Sequence, residues 1–261
     1  MKPNNIDKVP QSKIGLPPPE RLEVSGLSGD YPRGHWIAPH AHDAHQLIHA
    51  ALGVMRVTSA SATWVVPPGR AIWMPRGQEH AIRCHTGVAF RTIYLSQAPR
   101  GLEKRTAVCA VSPLLREILV RVAEDPLASA NQHLAALLFS ELAASDTLPL
   151  DLPTPEDPRL RRLTDSLLSE PSDNRDLADW AKDLGFSRRN LIRRFQAETG
   201  MTFRQWRRQA RLLAALEALG AGRSVTEAAF DVGYESVSAF VAAFRESLGA
   251  TPGKYFGRDA L

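Results

Sequence analysis

The chain has 261 residues, enough for two domains that each bury a core of their own. Lysine and arginine number 32 against 28 aspartates and glutamates, which leaves a formal net charge of +4. The two cysteines, Cys84 and Cys109, exclude a disulfide-stabilised scaffold. No apolar run reaches the roughly 18 residues of a membrane-spanning helix, and the N-terminus lacks the apolar stretch of a signal peptide. We therefore expect a cytoplasmic protein without membrane association.

The positive charge is concentrated in the C-terminal part of the chain. Residues 1–158 hold 15 basic and 15 acidic side chains, whereas residues 159–261 hold 17 and 13. The whole net charge therefore lies after residue 158, and an excess of this sign favours attraction to phosphate groups.

The N-terminal part has the composition of β structure. Residues 1–20 are polar and rich in proline, which predicts a flexible tail. Residues 21–110 contain short segments rich in valine, isoleucine, threonine and aromatic residues, and proline or glycine turns at 53, 67–69 and 75–77 separate them. Many short strands between such turns predict a small β-barrel or sandwich.

Two amphipathic helices are expected within residues 111–145. Each has a stripe of apolar side chains at helical spacing: Leu114, Leu115, Ile118, Leu119 and Val122 in the first, and Leu134, Leu137, Leu138 and Leu142 in the second. Packing against the β domain and formation of a homodimer interface explain these stripes equally well. We assign the region to dimerisation. Residues 146–158 contain several prolines and no hydrophobic period, which predicts an interdomain linker.

A local pattern occurs twice in residues 159–257. The two copies align at five positions: Ala181 with Ala229, Gly185 with Gly233, Leu191 with Phe240, Phe195 with Phe244, and Gly200 with Gly249. A small alanine lets two helices approach, and the first glycine of each copy allows a positive φ where a helix ends. Each copy therefore predicts a helix-turn-helix unit, and two in tandem within a basic region indicate DNA binding.

The first copy has a polar helix face suited to reading bases. Ser187 is expected to cap a helix whose inner face holds Leu191 and Phe195. The side chains that we assign to DNA on this helix are Arg188, Arg189, Ile192, Arg193 and Gln196. Arginine can pair with the two acceptors of guanine and glutamine with adenine. Arg188 and Arg194 point sideways and are expected to contact phosphates.

The second copy offers less for base discrimination. Its DNA-facing set is Val237, Ser238, Val241, Ala242 and Arg245. These side chains can touch thymine methyl groups, form one hydroxyl hydrogen bond or contact phosphate. We therefore expect the first copy to carry most of the base readout. Between the copies, residues 202–219 predict one linker helix that contains four arginines.

These residues resemble the DNA-binding domain of the AraC/XylS family of bacterial transcription regulators. The matching motifs are L-A-x-x-A-x-x-L-G-F-S at 177–187, L-x-R-x-F at 191–195, G-M-T-F at 200–203, A-x-x-x-G-Y-E-S at 229–236 and F-x-x-x-F-R-E-x-L-G-A-T-P-G-K-Y at 240–255. The resemblance implies base contacts from Arg189, Ile192 and Arg193 in the first copy, and from Val237, Ser238 and Ala242 in the second. Ala242 stands where members of the family often have arginine.

Seven of the eight histidines lie between residues 35 and 85. His40 and His42 can point the same way from one strand, and a G-x5-P-x-G-x2-H pattern ends at His80. This looks like the cupin barrel, whose three histidines and one glutamate bind a divalent metal. His40, His42 and His80 match the histidines, Gln46 occupies the glutamate position, and Cys84 replaces the final asparagine. His45 is a substitute for the missing carboxylate.

The histidine cluster therefore has two interpretations. One is a site for a divalent transition metal. The other is a metal-free effector pocket lined by histidines and by Trp36, Trp64 and Trp73. We expect no cofactor to be required for folding or DNA binding.

The sequence as a whole predicts an α+β protein of two domains. A cupin-like β-barrel followed by helices precedes an all-α domain in which a linker helix joins two helix-turn-helix units. The predicted function is a transcription regulator that senses a small effector or metal ion, forms a homodimer and binds operator or promoter DNA, with RNA polymerase as a candidate partner. The alternatives are a metal-dependent cupin enzyme fused to a DNA-binding module, against which Gln46 argues, and an architectural DNA binder without an effector.

Overall fold

The computed structural model describes residues 24–102, 104–148 and 150–257, so the predicted tail at 1–20 lies outside the described residues. The strands are β1 (Val24–Tyr31), β2 (Trp36–His40), β3 (His45–Leu52), β4 (Met55–Thr58), β5 (Ala62–Val66), β6 (Arg70–Met74), β7 (His80–Cys84), β8 (Val88–Leu95), β9 (Ala107–Ala110), β10 (Thr147–Leu148) and β11 (Asp151–Pro153). The helices are α1 (Pro113–Glu124), α2 (Pro126–Ser129), α3 (Gln132–Ala144), α4 (Pro158–Ser169), α5 (Leu177–Asp183), α6 (Arg188–Thr199), α7 (Phe203–Gly220), α8 (Val225–Asp231), α9 (Val237–Leu248) and α10 (Pro252–Tyr255). Within this described part, no helix combines the length and the apolar character needed to cross a bilayer.

The strands form two antiparallel sheets and not a closed barrel. The six-stranded sheet has the order β1-β8-β3-β6-β9-β10, and the five-stranded sheet has the order β11-β5-β4-β7-β2. Ile48 and Phe90 of the first sheet share one core with Met55 and Ile82 of the second. The edge strands β10 and β11 have only two and three residues, too few to continue the ladder from one sheet to the other. The predicted cupin-like barrel is therefore an open sandwich.

The six-stranded sheet is buried on both faces. In β3, Ile48 faces the sandwich core and its neighbour Leu47 faces α1 and α3, because side chains alternate along a strand. The helices cover this outer face with six buried side chains: Leu115, Ile118, Leu119, Val122, Leu138 and Leu142. At Gly26, a Cβ atom would lie 2.2 Å from the Val122 carbonyl oxygen, so only glycine allows α1 to approach β1 this closely. The packing explanation accounts for most of the two apolar stripes, whereas Leu114 and Leu137 are exposed.

The segment predicted as a bare linker, 146–158, contains two short strands. β10 pairs with β9 of the larger sheet and β11 pairs with β5 of the smaller one. Pro153 is compatible with a strand here because β11 is an edge strand, where the missing N–H removes no ladder hydrogen bond. The Pro153 carbonyl also accepts a hydrogen bond from Trp206 Nε1 at 3.0 Å. The segment is thus part of the sandwich and of its contact with the helical domain.

The two predicted helix-turn-helix units are present. α5 and α6 form the first unit, α8 and α9 form the second, and the 18-residue α7 joins them. Gly185 and Gly233 have φ angles of 68° and 83°, the left-handed conformation expected after α5 and α8. The four aligned core positions of the second helices are buried: Leu191, Phe195, Phe240 and Phe244. The α+β class and the all-α C-terminal domain are confirmed.

The linker helix α7 also docks the helical domain onto the sandwich. Glu217 of α7 is only 8% exposed and accepts hydrogen bonds from Arg56 Nε and Nη2 of β4 at 2.8 and 2.7 Å. His85 Nε2 lies 3.4 Å from Glu217 Oε1. A Cβ atom on Gly220, at the end of α7, would lie 2.2 Å from Val54 Cγ2. A bidentate ion pair and close backbone packing therefore hold the two domains together.

We expect Arg56→Leu to loosen this docking, since the Glu217 carboxylate then stays buried without its bidentate partner. The expected loss is about 1–3 kcal/mol of stability. The double variant Arg56→Leu/Glu217→Leu should recover most of the loss, because no buried charge remains unpaired. Thermal melting and limited proteolysis between the domains measure both effects. If the double variant were less stable than Arg56→Leu alone, the unpaired Glu217 carboxylate would not be the cause of the stability loss.

Candidate DNA-binding surface and sensor site

The outer face of α6 carries the side chains assigned to base contacts. The Ser187 hydroxyl accepts a hydrogen bond from the Asn190 N–H at 3.2 Å, and the fully buried Leu191 and Phe195 fix the rotation of the helix. The five predicted side chains of this helix are all exposed: Arg188, Arg189, Ile192, Arg193 and Gln196. Arg193 Nη2 donates to Asn190 Oδ1 at 3.1 Å. No ion pair of the described residues involves Arg188, Arg189 or Arg193, so their charges are open to a ligand.

Arg194 is half-buried and forms an ion pair within the protein. Its Nη1 lies 3.0 Å from Asp157 Oδ2, and its guanidinium lies 5.8 Å from the centre of the Phe186 ring. Arg159 shares the same carboxylate at 3.3 Å. Asp157 caps α4, so Arg194 attaches α6 to the start of α4. The predicted phosphate contact of Arg194 would therefore compete with this carboxylate, which lies far away in the sequence.

The outer face of α9 is less polar. Ser238, Ala242 and Arg245 are exposed, whereas Val237 and Val241 are half-buried and pack against the core of the domain. Ser238 offers one hydroxyl, Ala242 a methyl group and Arg245 a charge. The arrangement can contact thymine methyl groups and phosphates but provides little bidentate recognition of a base.

Three of the predicted sensor residues converge between β2 and β7. His40 ends β2 and pairs in register with His80, which begins β7. His42 follows two residues after His40, and the candidate ligand atoms of the three histidines all lie within 4.8 Å of one another. Within the described part of the chain, this is the group of histidine, cysteine and carboxylate side chains with the spacing of a metal site.

Backbone carbonyls orient two of these rings. His40 Nδ1 donates to the Ala38 carbonyl at 2.7 Å, and His80 Nδ1 donates to the Gln78 carbonyl at 2.9 Å. The opposite nitrogens, His40 Nε2 and His80 Nε2, are buried and have no hydrogen-bond partner among the described residues. Burial, together with a smaller effect of the neighbouring His40, lowers the pKa of His80 to about 4, so the His80 ring is neutral near pH 7. Fixed, neutral rings with free Nε2 atoms are typical of metal ligands.

Gln46 lies beside this cluster and His45 does not. Gln46 is buried, and its Nε2 donates to Thr92 Oγ1 at 3.0 Å and to the Tyr94 hydroxyl at 3.3 Å. The Tyr94 ring in turn contacts His42, with ring centres 5.1 Å apart. His45 instead stacks on Trp73, with ring centres 5.2 Å apart, and accepts a hydrogen bond from the Arg76 N–H. Adjacent residues of β3 point to opposite faces, which excludes His45 as the substitute for the missing carboxylate.

The tryptophans predicted to line a common pocket lie in three separate places. Trp36 is 43% exposed and is covered by Arg83 at 5.1 Å. Trp64 lines a cleft near Asp151 at the edge of the smaller sheet. Trp73 donates to the Leu102 carbonyl at 2.7 Å on the helix side of the larger sheet. The metal-free pocket with this lining is therefore not formed.

No sequence motif marks the residues that join the histidine cluster to α7. β7 begins at His80 and ends at Cys84, and the next residue, His85, faces Glu217. Burial lowers the pKa of His85 to about 4, and the charge of Arg56 adds to this effect. Arg56 and Glu217 are 161 positions apart. No local spacing rule marks such a pair. The one signal in the sequence for a buried ion pair was a glutamate in an otherwise apolar stretch of α7.

Comparisons with known proteins cover both domains. Residues 21–152 match the family described as AraC-like ligand binding domain, and residues 180–258 match a family described as helix-turn-helix domain. The chain is 34% identical over 228 residues to the HTH-type transcriptional regulator NimR of Escherichia coli strain K12, covering 84% of this chain and 82% of NimR. It is 34% identical over 103 residues to the HTH-type transcriptional regulator RipA of Corynebacterium glutamicum, covering 40% of this chain and 31% of RipA. A crystal structure of unsaturated fatty acid bound ToxT from Vibrio cholerae aligns with 89% of this chain and 94% of its own, at 12% identity and a TM-score of 0.39.

Proposed function

Because this chain belongs to the AraC family of transcription regulators, with an N-terminal ligand-binding domain and a C-terminal DNA-binding domain, we propose that α6 provides most of its base recognition. The observation that carries this proposal is the exposed, unpaired Arg189 and Arg193 on a helix whose rotation Leu191 and Phe195 fix. α9 adds methyl and phosphate contacts. We propose that the protein acts in the cytoplasm and is not an enzyme. If it activates transcription, RNA polymerase is the proposed partner.

Selection of bound sequences from random DNA by the full-length protein should enrich two half-sites about one helical turn apart, ~34 Å. On the selected duplex, Arg193→Ala is expected to weaken binding by about 1–3 kcal/mol, because a fork of hydrogen-bond donors to a base is lost. On a scrambled duplex the same variant should bind almost as the parent does. Arg162→Ala, an exposed arginine on α4, is the matched control. Equal loss on both duplexes would contradict base readout by Arg193.

We also propose that His40, His42 and His80 hold a divalent transition metal in the sensor domain. The support is the convergence of three histidines and the two buried Nε2 atoms without hydrogen bonds, one on His40 and one on His80. Three imidazoles with a neutral amide nearby favour Zn²⁺, Ni²⁺ or Cu²⁺ over Mg²⁺ or Ca²⁺, which prefer carboxylates. When bound, such an ion supplies a Lewis-acidic position that an effector with an oxygen or nitrogen donor can occupy.

Titration of the chelator-treated protein with Zn²⁺, followed by isothermal calorimetry, should give one site per chain. His80→Ala and His40→Ala are expected to lower the affinity at least about tenfold, because each removes one ligand. His45→Ala serves as the control, since His45 is adjacent in sequence to Gln46 but stacks on Trp73. An affinity that is the same in all three variants would rule out this site.

The route that we propose from the sensor site to DNA is strand β7. It connects His80 in the histidine cluster with His85 beside Glu217 on the linker helix. A ligand changes DNA binding only if its affinity differs between two arrangements of the domains. A shift of β7 that alters the contact of His85 and Arg56 with Glu217 provides two such arrangements.

We propose further that the chain forms a homodimer through the outer face of α3. Ala136, Leu137, Ser140 and Ala144 on this face are exposed and uncharged. Glu141, beside Leu137 on the helix, is half-buried and accepts a hydrogen bond from Ser112. The remaining face meets little repulsion from its own copy across a two-fold axis. Leu137, at 40% exposure, is the largest apolar side chain of the set.

Light scattering coupled to size-exclusion chromatography should give the mass of a dimer for the parent chain. Leu137→Glu is expected to give a monomer, because two carboxylates would be buried against each other at the two-fold axis. Leu52→Glu, at a position 66% exposed in the sandwich, is the control and should remain dimeric. A dimer that persists in Leu137→Glu would place the interface elsewhere.

A further inference from the structure

The first turns of α7 lie between the two recognition helices. Two clefts flank this part of α7, with volumes of about 400 and 360 Å³. The first cleft includes Ala242 of α9 in its lining, and the second includes Arg188 and Ile192 of α6. Arg204 and Arg207 line both clefts. These two arginines therefore stand between the DNA-facing side of α6 and that of α9.

The α7 surface at this place is strongly positive. Four arginines at helical spacing share one face and all line the first cleft: Arg204, Arg207, Arg208 and Arg211. Glu246 is the one carboxylate in that lining, and it pairs with Arg208. Arg204 is exposed and takes part in no ion pair of the described residues. The cleft thus has more positive charge than its own carboxylate can neutralise.

Backbone contacts hold two of the four guanidinium groups in place. Arg207 Nη1 donates to the Arg175 carbonyl at 2.8 Å, and Arg211 Nε donates to the Pro171 carbonyl at 3.0 Å. Carbonyl groups orient a cation without cancelling its charge. Burial lowers the pKa of Arg211, and the nearby Arg207 lowers it further, as expected where like charges lie close together.

We propose that Arg204, Arg207 and Arg208 bind the backbone phosphates of the DNA segment between the two half-sites. The proposal rests on the proposed function, in which α6 and α9 enter the major groove on one side of the duplex. Successive major-groove entries lie about one turn, ~34 Å, apart, and the phosphates of the minor groove between them face the protein there. Arg204 and Arg207 occupy the corresponding position between the helices. Glu246 competes with phosphate for Arg208.

Fluorescence anisotropy with the full-length protein tests this, on the selected duplex and on a scrambled duplex of equal length, over a series of salt concentrations. Arg204→Gln is expected to weaken binding to both duplexes about three- to tenfold and to reduce the slope of log K against log salt by about 0.9, the loss of one phosphate contact. Glu246→Gln should strengthen binding to both duplexes, because Arg208 loses its carboxylate partner and becomes available to phosphate. Arg162→Gln, on α4 and outside both clefts, should change neither quantity.

A duplex with neutral methylphosphonates at the central phosphates tests the same contact in the parent protein. The affinity of the parent protein for this neutral duplex should be about as low as the affinity of Arg204→Gln for the normal duplex. Arg204→Gln itself should bind the neutral duplex little more weakly than the normal duplex. Full affinity of the parent for the neutral duplex, or a loss in Arg204→Gln confined to the selected sequence, would overturn the proposal. Failure of the underlying recognition face is seen separately, as unchanged discrimination in Arg193→Ala.

Discussion

The docking of the linker helix on the sandwich is the constraint on which the arrangement of this protein depends. α7 joins the two helix-turn-helix units, so its position determines where both recognition helices point. Glu217 accepts two hydrogen bonds from Arg56 across the domain boundary, in a site where water has little access to the carboxylate. Because a buried charge without a partner is unfavourable, the helix has one strongly preferred position on β4. Val54 against Gly220 adds a steric match at the end of the same helix.

This docking places the C-terminal half of α7 against β4 of the sensor domain, while its first turns reach both Pro153 of β11 and the DNA-facing surface. Arg204 and Arg207 lie in the first turns of α7, whereas Glu217 lies near its end. A rigid helix transmits a small displacement along its whole length, because its backbone hydrogen bonds resist bending. In the regulation that we propose for a ligand in the N-terminal domain, a change in the contact at Glu217 reaches the surface between the recognition helices through this helix.

In the histidine cluster, the alternation of side chains between the two faces of a strand determines which residues can act as metal ligands. His40 and His80 face each other across the β2–β7 ladder, and each Nδ1 donates to the carbonyl two residues earlier in the chain. The donor set lacks the carboxylate of a cupin metal site, and Gln46 stands in its place with a neutral side chain tied to Thr92 and Tyr94. A site of this composition matches borderline transition ions and disfavours hard cations, which prefer carboxylate oxygens. The same residue that argues against an enzyme is compatible with a sensor.

The sequence by itself determined the features that depend on short-range constraints. Helix periods, the cap at Ser187 and the left-handed glycines at 185 and 233 specify the two helix-turn-helix units. The H-x-H spacing and the glycine–proline pattern before His80 located the three histidines that meet. These constraints act between residues a few positions apart, so they leave a pattern in the sequence.

Only the tertiary structure decided the contacts between distant segments. It showed that the sandwich is open, that β10 and β11 occupy the expected linker, that Arg194 belongs to Asp157, and that His45 faces away from the histidine cluster. It also paired Arg56 with Glu217 and placed Arg204 between the recognition helices. Such contacts follow from how sheets and helices pack in three dimensions. No spacing in the chain encodes them, because each partner satisfies its local structure equally well without the other.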